Sequence, residues 1–197
     1  APAERGSLRG RPERVTTSAR RGVRVRPATP ADLASVVELR LALLREHAAS
    51  PVYSRLRPDA PERARRLFAA QLASPSERIF LAEDESGVVG ILRCVESMGS
   101  PLLDPQRYAY VSSAYVRPAA RRRGTLRALV GAARAWCVER GLGEVRLHSV
   151  AGDAASNAAW DALGFTVVEH MRLCVLDEVL EDAADAPPPR RPVRSRG

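Results

Sequence analysis

The chain has 197 residues, is 45% hydrophobic and carries a formal charge of +8, which is enough for one domain with a real core and too little to expect two. The charge belongs to the ends: residues 1 to 22 hold six arginines against Glu4 and Glu13, residues 187 to 197 hold four arginines and no acid, and the body from 23 to 186 is formally neutral with 21 arginines and 21 acids. That neutral body argues against a nucleic-acid surface, no run approaches the roughly 20 apolar residues of a membrane span, and Cys94, Cys137 and Cys174 form no CxxC pair that would point to a disulfide framework or a zinc site. Free thiols fit a reducing, cytoplasmic setting. Residues 1 to 22 read as a disordered basic tail and residues 178 to 197, with Pro187-Pro188-Pro189, as a disordered Pro/Arg-rich tail. The folded part is expected over residues 23 to 177.

Val23-Arg24-Val25-Arg26 alternates with period two and then meets Pro27, which predicts a short strand. A helix follows: Thr29 can cap it, Pro30 takes its first position, and Leu33, Val37, Leu41 and Leu44 recur on one face. Beyond a loop over residues 50 to 58, a second helix is expected near Glu62 to Leu72. Three strand-like runs come next, Arg78 to Glu83, Gly87 to Glu96 and Tyr108 to Val116, the first two joined by the tight link Asp84-Glu85-Ser86, and they predict an antiparallel meander. From Gly124 the period turns helical, with Leu126, Leu129, Val130, Ala133, Trp136 and Cys137 on one stripe and Gly141 at its end. Glu144 to Val150 then reads as a strand, Ala155 to Leu163 as a short helix, and Phe165 to Val168 with His170 to Asp177 as a closing hairpin. A long helix between two strands implies a parallel pair, so the expected fold class is mixed, α/β or α+β.

The chemistry-bearing segment is Val116-Arg117-Pro118-Ala119-Ala120-Arg121-Arg122-Arg123-Gly124-Thr125-Leu126-Arg127. A strand ends, proline fixes the exit, and a helix opens at a glycine inside an arginine-rich turn. Unengaged N–H groups and the positive end of the helix dipole suit a phosphate, and Gly124 lets backbone approach it closely. The chain has no lysine, which rules out a P-loop.

The chain resembles the GNAT superfamily of acetyl-CoA-dependent N-acetyltransferases. The family's pyrophosphate motif is matched by Val116-Arg117-Pro118 and Arg121-x-x-Gly124-x-Leu126. A second block is matched by Asn157, Trp160 and Leu163-Gly164-Phe165, and the opening Arg26-x-Ala28-Thr29-x-x-Asp32-Leu33 is similar to the family's first strand and helix. The resemblance implies a central mixed sheet of six or seven strands flanked by about four helices, with a parallel pair splayed at the cofactor site. It also implies acetyl-CoA as acyl donor, no metal, a small-molecule or peptide amine as acceptor and a homodimer. Carried over, Ala114, Tyr115 and Val116 border the pantetheine arm. Arg121, Arg122, Arg123, Gly124, Thr125, Leu126 and Arg127 hold the pyrophosphate, Asn157 bonds the pantetheine, and Trp160 is also counted among the cofactor-binding residues. The oxyanion then lies near the Tyr115–Val116 backbone.

Two positions depart from the family pattern. Leu126 stands where the family has Gly or Ala, and Trp160 stands where many members carry the tyrosine that protonates the leaving thiolate, work for which an indole N–H is far too weak an acid. For the general base the candidates are Glu96, His148, Asp153 and Tyr115. Glu96, which shares a strand face with Leu92 and Cys94, comes first because family members commonly use a carboxylate on a central strand. His47, Tyr53, Arg55 and Arg57 lie where an acidic or polar acceptor could be met. Two other readings stay open: a non-catalytic acyl-CoA-binding or regulatory module that lost the acid, and nucleic-acid binding through the arginine tails.

Overall fold

A computed structural model describes residues 22–176. The two tails lie outside these residues except for Gly22. Strand β1 (Arg24–Pro27) pairs antiparallel with β2 (Glu77–Asp84), β2 with β3 (Gly87–Met98), and β3 with β4 (Arg107–Val116). The meander thus forms as its alternating sequence predicts. Between β1 and β2 run helices α1 (Leu33–Glu46) and α2 (Ala60–Leu72). Helix α3 (Thr125–Glu139) then crosses over to the short strand β5 (Val145–Leu147), which lies parallel to β4. The order is β1-β2-β3-β4-β5. Helix α4 (Ala154–Asp161) follows.

Period-two alternation sends successive strand residues to opposite faces. Ile79, Leu81 and Ile91 take one face, where they pack with Val36, Val37, Leu39 and Leu41 of α1 and Ala64 and Phe68 of α2. The other face meets α3, through its buried stripe of Leu129, Val130, Ala133, Trp136 and Cys137. Gly90 permits that contact: a β-carbon there would stand 3.2 Å from both Leu129 Cδ1 and the Tyr115 carbonyl. No helix among the described residues is long and apolar enough to cross a membrane.

The first helix is locked to the sheet by one arginine. Arg26 donates to Asp32 Oδ1 and Oδ2 at 2.7 and 2.8 Å and to Glu83 Oε1 at 2.6 and 2.9 Å, while Asp32 also accepts from the Thr29 N–H and hydroxyl at 2.8 Å. Thr29 and Asp32 therefore close a single 3₁₀ turn (Pro30–Asp32) ahead of α1. Arg26 holds the Asp32 carboxyl well below the usual carboxylate range, with the Thr29 bonds adding to the effect and burial opposing it. A depressed folded pKa stabilises the fold above the unfolded value of about 4 and loses that contribution as pH falls toward the folded value. Asp32→Asn is accordingly expected to cost about 1–2 kcal/mol at pH 7. The gap in urea midpoint between the two proteins should be smaller at pH 3 than at pH 7, without closing.

Three expectations need correction. The sheet has five strands among the described residues, not six or seven. Glu144 to Val150 was expected as one strand, yet only Val145–Leu147 pair, because β4 turns away beyond Val111. The closing hairpin does not form over the described part of its range: residues 165–175 hold no strand, and Val167, Val168, Met171 and Leu173 are exposed. Alternation creates a candidate strand, but only a bonding partner makes it one; Asp177 lies outside the described residues.

Contacts divide the chain into two units, one ending at Asn157 and one beginning at Ala158. In the second, Trp160 meets Phe165 edge to face at 5.3 Å, and the Phe165 N–H bonds the Trp160 carbonyl at 3.1 Å around Gly164, whose φ is 82°.

Candidate active site

The site begins with a mismatch in register. Opposite Arg93 stands Ser113 and opposite Cys94 stands Val111, so Ser112 is an extra residue in β4. Such a bulge bends its strand and increases the local twist. Arg93 fixes it, donating to Ser112 Oγ from one side while bonding Glu77 at 2.6 Å from the other. On the far edge β4 pairs with β5 only through Ala109↔Val145, Tyr110↔Arg146 and Val111↔Leu147. From Ser112 to Val116, including Ala114 and Tyr115, β4 has no strand partner on that side among the described residues. The parallel pair is therefore a fork that opens at the bulge.

The turn after β4 forms a cradle at the open end. Arg122 and Gly124 both adopt positive φ, 58° and 84°, and Gly124 caps the start of α3. Alternating left-handed residues turn successive N–H groups toward one concavity. The amides of Arg122 through Arg127 donate to no acceptor among the described residues, and the space in front of Gly124 is open. Arg122, Arg123 and Arg127 likewise form no ion pair there. Free donors, a helix N-terminus and uncommitted cations together fit a pyrophosphate.

Two arginines of the segment work differently. Arg121 donates from Nε to the Val116 carbonyl at 2.8 Å and from Nη2 to Glu46 at 2.6 and 2.8 Å, and its guanidinium lies 5.6 Å from the Tyr115 ring centre. Arg117 reaches Glu38 at 2.7 Å. Both tie the cradle to α1. Thr125 is buried, with its hydroxyl bonded to the Ala120 carbonyl at 2.8 Å, so only its backbone remains available. Tyr115 turns its ring into the core against α1 and α2. Leu126 is half-buried on the first turn of α3.

On the β5 side, Asn157 spends its amide on the loop. Its Nδ2 donates to the Val150 and Ala151 carbonyls at 3.1 and 3.2 Å, and its Oδ1 accepts from Ser149 at 2.6 Å. At the vertex of the fork His148 Nδ1 lies 2.6 Å from the Tyr110 hydroxyl. Burial raises the Tyr110 phenol above its ordinary range, with Tyr53 and Tyr108 adding to the effect. His47 Nε2 lies 3.4 Å from Asp153 Oδ2, and its Nδ1 lies 3.0 Å from the Leu43 carbonyl.

Glu96 is not brought to this place. Opposite it on β4 stands Ala109, seven positions before Val116, which puts Glu96 roughly 20 Å along the strand from the cradle. Its carboxylate is held by Arg107 and by Arg140, just past the end of α3, both at 2.6 Å. Those two arginines lower its pKa and leave it a poor proton acceptor. The strand-face reading was right, but that face is the one covered by α3. Cys94 is buried in the same face, its thiol pushed up by a hydrogen bond with Cys137 and by burial, and it is inert as a nucleophile.

Tyr110 escaped the sequence reading because Tyr108-Ala109-Tyr110 looks like ordinary strand alternation.

The model of the acetyltransferase (GNAT) family matches residues 41–165. The chain belongs to the GNAT acetyltransferase family. Among curated proteins no relative matches by sequence. Solved structures share the fold. A GCN5-related N-acetyltransferase from Ralstonia eutropha is 22% identical with a TM-score of 0.64, over 79% of this chain and 99% of that one. An aminoglycoside antibiotic 6'-N-acetyltransferase from Acinetobacter haemolyticus is 20% identical with a TM-score of 0.63, over 77% and 97%. A predicted acetyltransferase from Clostridium acetobutylicum, solved with acetyl-CoA, is 16% identical with a TM-score of 0.65, over 79% and 97%. In this GNAT chain the fork and the cradle stand at one end of β4.

Proposed function

We propose that this chain transfers an acetyl group from acetyl-CoA to a primary amine by direct attack in a ternary complex. The observation that carries the reading is the meeting of two features at one strand end: a fork that leaves the β4 edge unpaired, and a cradle of unengaged amides and free arginines. Acetyl-CoA, when bound, supplies the activated acyl group. The amides of residues 122–127 and the guanidinium groups of Arg122, Arg123 and Arg127 hold its pyrophosphate. Arg121 and Asn157 set the two sides of the fork, since their polar atoms are already committed. Ala114, Tyr115 and Val116 contribute backbone to the pantetheine arm, and an N–H of this stretch donates to the carbonyl oxygen as it gains charge.

In this reading His148 replaces Glu96 as the base. Histidine is the side chain whose ordinary titration spans neutral pH. In the tautomer whose Nδ1–H donates to the Tyr110 oxygen, the Nε2 lone pair takes the proton of the attacking amine. Trp160 cannot play the part of the usual tyrosine acid and the Tyr110 hydroxyl is engaged with His148, so in this reading the leaving thiolate takes its proton from solvent. A homodimer belongs to the same reading and rests on the family resemblance, and a cytoplasmic setting rests on the free cysteines.

Calorimetry with acetyl-CoA and a thiol-release assay over grouped amines test the two halves. Binding with release is expected; absence of binding would sink the reading. Binding without release across a broad amine panel would instead favour the second reading, a CoA-binding module that does not transfer, to which Trp160 points.

A further inference from the structure

Between α1, the loop over residues 47–59 and α2 lies a cleft of about 480 Å³, lined by four arginines, Arg40, Arg55, Arg57 and Arg63, and by no acid. Its walls are otherwise largely apolar, and Val52, Leu56 and Leu67 of its lining are exposed to solvent. That volume suits a small molecule. Arg57 and Arg63 share Asp59, whereas Arg40 and Arg55 have no ion-pair partner among the described residues.

Arg40 is the unusual member. It is partly buried on α1, among Tyr53, Tyr110 and the like-charged Arg93, and burial is the largest cause that lowers its pKa. A guanidinium stays charged in proteins, so a desolvated one calls for an anion. None of the described residues supplies one: Glu38 goes to Arg117, Glu46 to Arg121, and Glu77 to Arg93. Arg40 also lies within electrostatic reach of Tyr110, whose hydroxyl is bonded to His148.

From this geometry we infer that the cleft is the acceptor site, that it selects an amine bearing an anionic group on an apolar body, and that Arg40 reads the charge. The inference rests on the acetyl-transfer reading above. Arg40 pairs with the acceptor's carboxylate or phosphate, the apolar wall holds its body, and its amine is left on the side of Tyr110 and His148. A polycationic acceptor meets four arginines there, with Asp59 as the shared counter-charge of two of them, and is repelled.

The test uses the full chain and Arg40→Gln, with leucine, phenylalanine, their amides, phosphoethanolamine and spermidine as acceptors. Wild type is expected to favour each amino acid over its amide by roughly 10- to 100-fold in kcat/KM, the value of one charge-assisted pair. In Arg40→Gln that preference should collapse through the anionic acceptors alone, and Arg40→Lys should restore part of it, while calorimetric affinity for acetyl-CoA stays unchanged. Stronger use of phosphoethanolamine than of the amino acids would support the inference and name phosphate as the anion. Preference for spermidine, or an amino-acid preference that survives Arg40→Gln, would overturn it. If acetyl-CoA binds but no amine releases thiol, the transfer reading fails and the cleft is judged on binding. Leucine and leucinamide titrated into the CoA-loaded proteins should then show the same Arg40-dependent discrimination, and equal affinities would overturn the inference.

Discussion

Replacing Gly124 by Glu is expected to raise the dissociation constant for acetyl-CoA by at least about 100-fold while the protein remains folded. Two causes act together. Gly124 holds φ at 84°, a left-handed conformation that costs a side-chain-bearing residue roughly 1–2 kcal/mol, and it is the cap from which the free amides of α3 project. The new carboxylate would stand in the open space before the cradle and oppose the negative charge that the arginines are arranged to receive. Gly124→Ala separates the two causes, because it brings the strain without the charge. It should weaken binding by no more than about tenfold. Calorimetry gives both constants, and thermal midpoints within a few degrees of wild type show that the fold survives. Unaltered affinity in Gly124→Glu would mean that the pyrophosphate lies elsewhere.

The second large effect belongs to the vertex of the fork. His148→Gln is expected to lower kcat by about 10²- to 10⁴-fold, the range for loss of a general base, with the KM for acetyl-CoA nearly unchanged. A glutamine can still bond Tyr110, so the loss would report proton transfer rather than a collapsed loop. Tyr110→Phe removes the partner that fixes the imidazole at 2.6 Å and should cost less, about tenfold in kcat. Steady-state kinetics with acetyl-CoA and acceptor varied separately give the split. Glu96→Gln provides the contrast: its carboxylate braces Arg107 and Arg140 on the α3 face, so its replacement should act on stability more than on turnover. A drop in kcat for Glu96→Gln with His148→Gln unimpaired would reverse the assignment.

What could be read along the chain was whatever is local. The cradle lies within one stretch from Val116 to Arg127. A strand end, a proline, a glycine and uncommitted arginines are visible there without knowing what packs against them. The meander and the three longer helices were legible for the same reason, since their periodicities are set by backbone geometry alone. The closing hairpin was misread because strand pairing is a property of two segments: residues 165–175 have the alternation and not the partner.

Side-chain roles divide in the same way. Alternation correctly grouped Leu92, Cys94 and Glu96 on one face of β3, but it cannot say which helix covers that face. Tertiary packing placed α3 there, and with it Arg140, turning a candidate base into a bracing carboxylate. The bulge at Ser112, which opens the fork, exists only as a mismatch between β3 and β4. The pairing of Tyr110 with His148 draws on β4 and the residue after β5, segments that nothing in sequence spacing connects. Sequence by itself determined the family, the order of its main elements and the arginine-rich turn ahead of α3, because those depend on neighbours along the chain. The fork, the bonded pair at its vertex and the unpaired charge in the cleft were decided by the tertiary structure alone, because each depends on which faces of distant segments meet.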